Sequence, residues 1–298
     1  MIQDKYMNLK RGERGAVISI MAYLVLSCLK LIIGFFMNSR ALSADGLNNA
    51  TDIAASLAVL IGLKMSRRPA DSDHPYGHWR SETIASLVAS FIMVAVGLNV
   101  LYDSIRSIFA GDQTIPDVTA AWTGIFCAVI MYLVYRYNKK LARKINSSSV
   151  MAAAKDNLSD AWVSIGTAVG VFGSQLHLPW LDTVAAILVG ILICKTGWDI
   201  FRESSFNLSD GFDEKKINEY TETIRSISEV DDVRTIKARN YGNNTIVDVV
   251  ILVNPESGLT HAHDISTEVE KVLEKKHGIF SATVHVEPNL PKSRPVQQ

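Results

Sequence analysis

Two short stretches of the chain share an arrangement suited to holding a cation. In ADGLNNATDIAAS, residues 44–56, Asn48 and Asp52 stand four positions apart, and in AAAKDNLSDAWVS, residues 152–164, Asp156 and Asp160 do the same. On a helix, positions i and i+4 lie on one face a turn apart. Each stretch therefore offers two oxygen ligands to a common point, and two such helices face to face form a four-ligand cage. Both stretches sit inside long apolar runs. An Asp at mid-membrane costs about 2.5–3.5 kcal/mol, so three cost roughly 8–10 kcal/mol. The competing reading, polar residues that cap helices or bond to neighbouring ones, does not by itself repay that cost. Asp45 precedes the first pair, where ligation and a supporting or capping role are equally open.

A second constellation is ADSDHPYGHW, residues 70–79, in which Asp71, His74 and His78 spell D-x-x-H-x-x-x-H. Pro75 and Gly77 break any continuous helix there and shape a loop. Two imidazoles and a carboxylate suit zinc or another borderline metal. A solvated polar loop without metal is the alternative. A third group, His261, His263, His277, His285 and Glu287, lies near the C-terminus. His285 and Glu287 alternate on a strand and so point to one face. Exposed histidines without a metal explain this group equally well.

The elements that must position these residues follow from hydropathy. Gly15–Phe36 is 22 residues with a single charge, long enough to cross a hydrocarbon core of about 30 Å. Further candidate spans are Leu42–Met65, Thr83–Phe109, Val118–Tyr137, Val150–Leu176 and Leu178–Phe201, making six, with both termini on one side. Lys5, Lys10, Arg11 and Arg14 precede the first span; Lys64, Arg67, Arg68 and Arg80 separate the second from the third. Arg136, Lys139, Lys140, Arg143 and Lys144 separate the fourth from the fifth, while the opposite loops hold Arg40 alone. The positive-inside rule places both termini in the cytoplasm.

From about Ser209 the chain reads as a soluble α/β unit. Asp213–Ile227 has a helical apolar period, and Val233–Arg239 and Thr245–Val253 read as strands joined at Tyr-Gly-Asn-Asn. His261–Lys276 is an amphipathic helix and Phe280–Val286 a last strand, giving α-β-β-α-β, a small open sheet with helices on one face. The expected division is a six-helix membrane domain over residues 1–208, a cytoplasmic domain over 209–290 and a frayed tail over 291–298.

Composition narrows the function. Thirty Lys+Arg balance thirty Asp+Glu, which argues against a nucleic-acid binder. The three cysteines, Cys28, Cys127 and Cys194, form no CxxC pair, which excludes a zinc ribbon and a disulfide scaffold, and they are expected to act as small buried hydrophobes. No HExxH or nucleophile motif supports a membrane metallohydrolase. A metal sensor built on the tail leaves the membrane aspartates unexplained. A metal-gated channel is disfavoured by the small, ligand-dense cage.

The ADGLNNATD, DHPYGHWRSE and DNLSDAWVS stretches, in this order and followed by an α/β tail, resemble the cation diffusion facilitator family over nearly the whole chain. The resemblance implies a homodimeric, proton-coupled exporter of divalent metal, not an enzyme, in the plasma (inner) membrane. It also implies a cytoplasmic domain of ferredoxin-like, metallochaperone-like shape. Carried over by position, Asn48, Asp52, Asp156 and Asp160 match the family's transport site, and Asp71, His74 and His78 its loop site. In the tail His263, His285 and Glu287 match, while Val250 and Asp231 stand at other positions of that site. Arg80 and Asp210 match a charge interlock between spans and tail. Oxygen-only ligands suit Mn²⁺ over Zn²⁺, and the N-x-x-x-D plus D-x-x-x-D pairing resembles the manganese-handling branch. Mn²⁺ is thus the expected substrate, with Fe²⁺ and Zn²⁺ behind it and H⁺ as counter-ion, since metal and protons compete for the same carboxylate oxygens.

Overall fold

A computed structural model describes residues 2–66, 68–110, 115–145, 148–242 and 244–290. The expected tail over 291–298 lies outside the described residues. Six long helices come first: α1 (Ile2–Phe36), α2 (Arg40–Ser66), α3 (Ser81–Ala110), α4 (Val118–Ile145), α5 (Ser148–Gln175) and α6 (Trp180–Leu208). Helix α1 runs back well beyond Gly15, since a basic segment outside lipid continues a helix as readily as an apolar one.

Four of these helices, α1, α3, α4 and α6, are long and apolar enough to cross a membrane. The other two are α2 and α5, of 27 and 28 residues. At 1.5 Å per residue each reaches about 40 Å, ample for a bilayer. What lowers their hydropathy is the set of polar residues that carries the candidate ligands. The helices are apolar outside and polar inside: Leu24, Phe91, Phe126 and Leu188 are exposed, whereas Lys30, Asp45, Asn49, Asn157 and Ser164 are fully buried. Cys127 is buried as expected, but Cys28 is exposed, because the outward face of such a helix is apolar too.

The chain forms two compact units, one of residues 1–58 and 88–201, the other of 59–87 and 202–298. In the first, small residues allow close crossing: a Cβ at Gly97 of α3 would lie 2.5 Å from Cys194 Sγ of α6. The start of α2 is capped from another helix. Ser39 Oγ accepts from Leu42 N at 3.1 Å and donates to Asp182 Oδ1 of α6 at 2.7 Å. Asp182 Oδ2 accepts from Arg40 N at 2.7 Å and Ala41 N at 3.4 Å, and Ser43 N reaches Ser39 O at 3.2 Å. All of the first backbone donors of α2 are thereby satisfied.

The second unit contains α7 (Glu214–Arg225), β1 (Asp232–Tyr241), β2 (Asn244–Val253), α8 (Leu259–His277) and β3 (Ser281–Pro288), the expected α-β-β-α-β order. Asp213 caps α7 through Lys215 N, and Gly278 ends α8 at φ 66°, the left-handed position glycine favours. The sheet order is β1-β2-β3, with β1 antiparallel and β3 parallel to β2, as the α8 crossover requires. Val247, Val249, Ile251 and Val253 of β2 share one core with Tyr220 and Ile224 of α7 and Ile265, Val269 and Leu273 of α8. Both helices therefore cover the same face. A bulge between Val233 and Thr235 shifts the inward phase of β1, so that Val233 and then Ile236 and Ala238 meet this core.

The Asp182 cap is testable. Asp182→Ala strips two backbone donors and the Ser39 hydroxyl of their acceptor and should cost about 1–2 kcal/mol. A lowered thermal midpoint of the detergent-purified protein reports it, and an unchanged midpoint refutes the cap.

Candidate metal centre

The candidate ligands of α2 and α5 meet inside the first compact unit. Asn48 Nδ2 donates to Asp52 Oδ2 at 3.4 Å and to Asp160 Oδ1 at 3.3 Å. Asp160 is buried and its other oxygen, Oδ2, accepts from Tyr23 Oη of α1 at 2.6 Å. Asp156, one turn earlier on α5, is exposed. Three of the four expected groups are thus linked through Asn48, and the fourth stands one turn away, exposed. An amide presents either end: here its N–H serves two carboxylates, and turned over it offers Oδ1 to a cation.

Helix α1 supplies partners that the sequence reading did not single out. Ser19 Oγ accepts from Asn157 Nδ2 at 3.1 Å and from Asn138 Nδ2 of α4 at 2.8 Å. Tyr23 holds Asp160, and Lys30 Nζ donates to Ser164 Oγ at 2.9 Å. These contacts form a polar ladder between α1 and α5, rising in the same direction along both. Lys30 also reaches Asp45 Oδ1 at 2.9 Å and Asn49 Oδ1 at 2.6 Å. Asp45 is therefore a buried ion-pair partner of Lys30. The one available signal was Lys30 itself, the only charge in the first span.

Elsewhere, Asp71, His74 and His78 are the only group of three His, Cys, Asp or Glu side chains among the described residues whose ligand atoms all lie within 4.8 Å of one another. Asp71 Oδ1 accepts from His74 N at 2.7 Å and Asp73 N at 3.1 Å and approaches His74 Nδ1 at 3.2 Å. His78 Nε2 stands 3.4 Å from Asp71 Oδ2. A turn from His74 to Gly77, closed at 2.9 Å with Pro75 in second place, brings the two imidazole centroids to 4.2 Å with the rings tilted by 37°. Gly77 takes φ 82°, which suits glycine. The His74 backbone N–H holds the Asp71 carboxyl below the ordinary carboxylate range. A cavity of about 320 Å³ opens between this loop and Tyr241. Beside it Arg80 pairs with Asp210 and lies over the Tyr241 ring, 4.4 Å from its centroid.

The C-terminal group is not gathered to a point. His285 Nε2 lies 3.6 Å from Glu287 Oε1, and Glu287 also pairs with Arg234. His261 faces Glu229 at 3.2 Å, and His277 contacts Thr223 Oγ1 at 2.8 Å. His263 is exposed on α8. Val250 stands beside His285 in the β2–β3 register.

A helical bundle that buries acids and amides behind an apolar exterior, followed by a small α/β unit, is the build of a membrane transporter of cations. Comparison with known proteins agrees. The cation efflux transmembrane domain matches residues 16–209, and the cation efflux protein cytoplasmic domain matches residues 212–289. The chain belongs to the cation efflux family and is an integral membrane protein. It is 56% identical over 285 residues to manganese efflux system protein MneS of Bacillus subtilis, covering 96% of this chain and 98% of that one. An uncharacterized transporter of the same organism, YdbO, is 52% identical over 282 residues, 95% of this chain and 97% of its own length. Manganese efflux system protein MneP, also of Bacillus subtilis, is 29% identical over 286 residues, 93% and 96% of the two chains.

Asp71 should govern the order of its loop. Asp71→Ala removes the acceptor of the Asp73 and His74 amides, and hydrogen exchange at both should quicken markedly. Because the folded carboxyl sits below its unfolded value, its contribution is complete above the ordinary carboxylate range and is lost only as pH falls through the lowered folded value. Wild-type protection that fades already near neutral pH contradicts this.

Proposed function

We propose that this chain is a proton-coupled antiporter that exports a divalent transition metal, Mn²⁺ foremost, from the cytoplasm. The observation that carries the reading is the convergence of Asn48, Asp52 and Asp160 with Asp156 one turn away, an all-oxygen set within a membrane bundle. Hard oxygen donors favour Mn²⁺ over metals that prefer imidazole or thiolate. The names of MneS and MneP as manganese efflux proteins support the same choice. Zn²⁺ and Fe²⁺ stand behind it, since carboxylate also serves zinc.

In this scheme all six helices span the plasma membrane with both termini in the cytoplasm. Residues 1–208 form the transport domain and 209–290 the cytoplasmic domain, through which two copies pair. Metal enters the cage, the helices reorient, and protons take the carboxylate oxygens as metal leaves. Tyr23 fixes Asp160 so that one of its oxygens faces Asn48. Asp71, His74 and His78, with nitrogen donors, form an accessory site for a borderline metal on the cytoplasmic side. His263, His285 and Glu287 contribute to a further site, and Arg80 with Asp210 fastens the second compact unit internally.

Uptake into proteoliposomes under an imposed pH gradient tests the scheme. Wild type should move Mn²⁺ in preference to Zn²⁺, Asp160→Asn should lose most flux, and Asn48→His should shift preference toward Zn²⁺. Flux indifferent to the gradient sinks the proton coupling. A wild type that prefers Zn²⁺ leaves transport standing and overturns the argument from ligand hardness.

A further inference from the structure

Lys30 has no place in the scheme above, yet it is a fully buried charge, with no exposed surface, as is its partner Asp45. An ammonium has three N–H donors and no acceptor. Here each donor meets one oxygen: Asp45 Oδ1 at 2.9 Å, Asn49 Oδ1 at 2.6 Å and Ser164 Oγ at 2.9 Å. A carboxylate, an amide carbonyl and a hydroxyl are the donor chemistry of a hard-cation site. In sequence these oxygens adjoin the transport ligands. Asn49 follows Asn48, Asp45 precedes it by three positions, and Ser164 follows Asp160 by four.

Stability alone is a weak reason for such a pair. Replacing a buried ion pair with apolar residues of similar size is often neutral or stabilising, while removing one member strands the other. What the pair does supply is charge at a fixed place. Asp45 lies on α2 next to the cage and would add another negative charge to those of Asp52, Asp156 and Asp160. Lys30 cancels it.

We infer that Lys30 is a built-in counter-cation of the transport site, seated in the oxygen-lined position next to the metal ligands, and that its charge sets how tightly the site holds a divalent metal and how readily it lets go. The inference rests on the transport reading of Asn48, Asp52, Asp156 and Asp160. Lys30 is a positioning and specificity residue, since it touches Asp45, Asn49 and Ser164 and no metal ligand. Its ammonium repels a divalent ion in the cage and also excludes such an ion from Asp45.

The test compares Lys30→Met, Asp45→Asn, the double variant and Lys30→Arg by KM and kcat for Mn²⁺ uptake, with equilibrium Mn²⁺ titration of the detergent-purified proteins alongside. Lys30→Met makes the site more negative, so KM should fall on the order of tenfold, with a fall in kcat as release slows. Asp45→Asn makes it more positive and KM should rise by a similar factor. The double variant restores the sum of charges and should return KM to within about threefold of wild type, and Lys30→Arg should stay near wild type. A purely structural pair predicts that both single variants shift KM the same way, and that result overturns the inference while leaving transport intact. Should Lys30→Met fail to fold, the double variant against Asp45→Asn makes the same comparison. If wild type binds Mn²⁺ but moves none, the transport reading fails, and the order of affinities in the titration still decides the role of Lys30.

Discussion

Negative charge inside a low-dielectric bundle must be matched by something positive or by donated hydrogen bonds, and the membrane half of this protein is organised around that requirement. Asp45 has the Lys30 ammonium, Asp160 has the Tyr23 hydroxyl and the Asn48 amide, and Asp182 has backbone donors at the start of α2. None of these partners lies on the same helix as its carboxylate, so satisfying the acids fixes how α1, α2, α5 and α6 stand against one another. Apolar side chains packed in lipid contribute little directional preference. The polar contacts supply it, and the ligand geometry is a by-product of the same bonds.

The two candidate ligand clusters are built differently. In the bundle the donors are oxygen atoms on stiff helices, spaced by the helical repeat and shared among neighbours. In the loop they are two imidazoles and a carboxylate on a tight turn, held by the Asp71–His74 hydrogen bond and exposed to water except at His78. The first offers only hard oxygen donors; the second presents softer donors whose atoms lie close to one point.

Much of this was legible in the sequence. The i,i+4 pairs, the D-x-x-H-x-x-x-H loop and the α-β-β-α-β order depend on local periodicity and turn residues, which sequence displays directly. Lys30 escaped because a single charge in an otherwise apolar run reads as a tolerated exception, and its three partners lie on other helices. Tyr23 and Asp182 escaped for the same reason: their value is the identity of a partner up to 143 residues away. The bulge in β1 was hidden because the strand pattern alone does not show that the inward phase slips at Arg234. Conversely, α2 and α5 look least like membrane spans by hydropathy because they carry the polar candidate ligands.

The placement of the ties along the bundle also divides its mechanical character. At the end that holds Ser39 and Asp182, helix α2 is braced to α6 through its cap, and one to two turns further on to α1 and α5 through Lys30. Helix α2 is therefore held as a beam clamped at its Ser39 end. Asp156, the exposed candidate ligand, lies toward the other end of α5. Near Asp156 the tie is of another kind, the Ser19–Asn157 bond that holds α5 to α1, so the two ends of the bundle are braced through different pairs of helices.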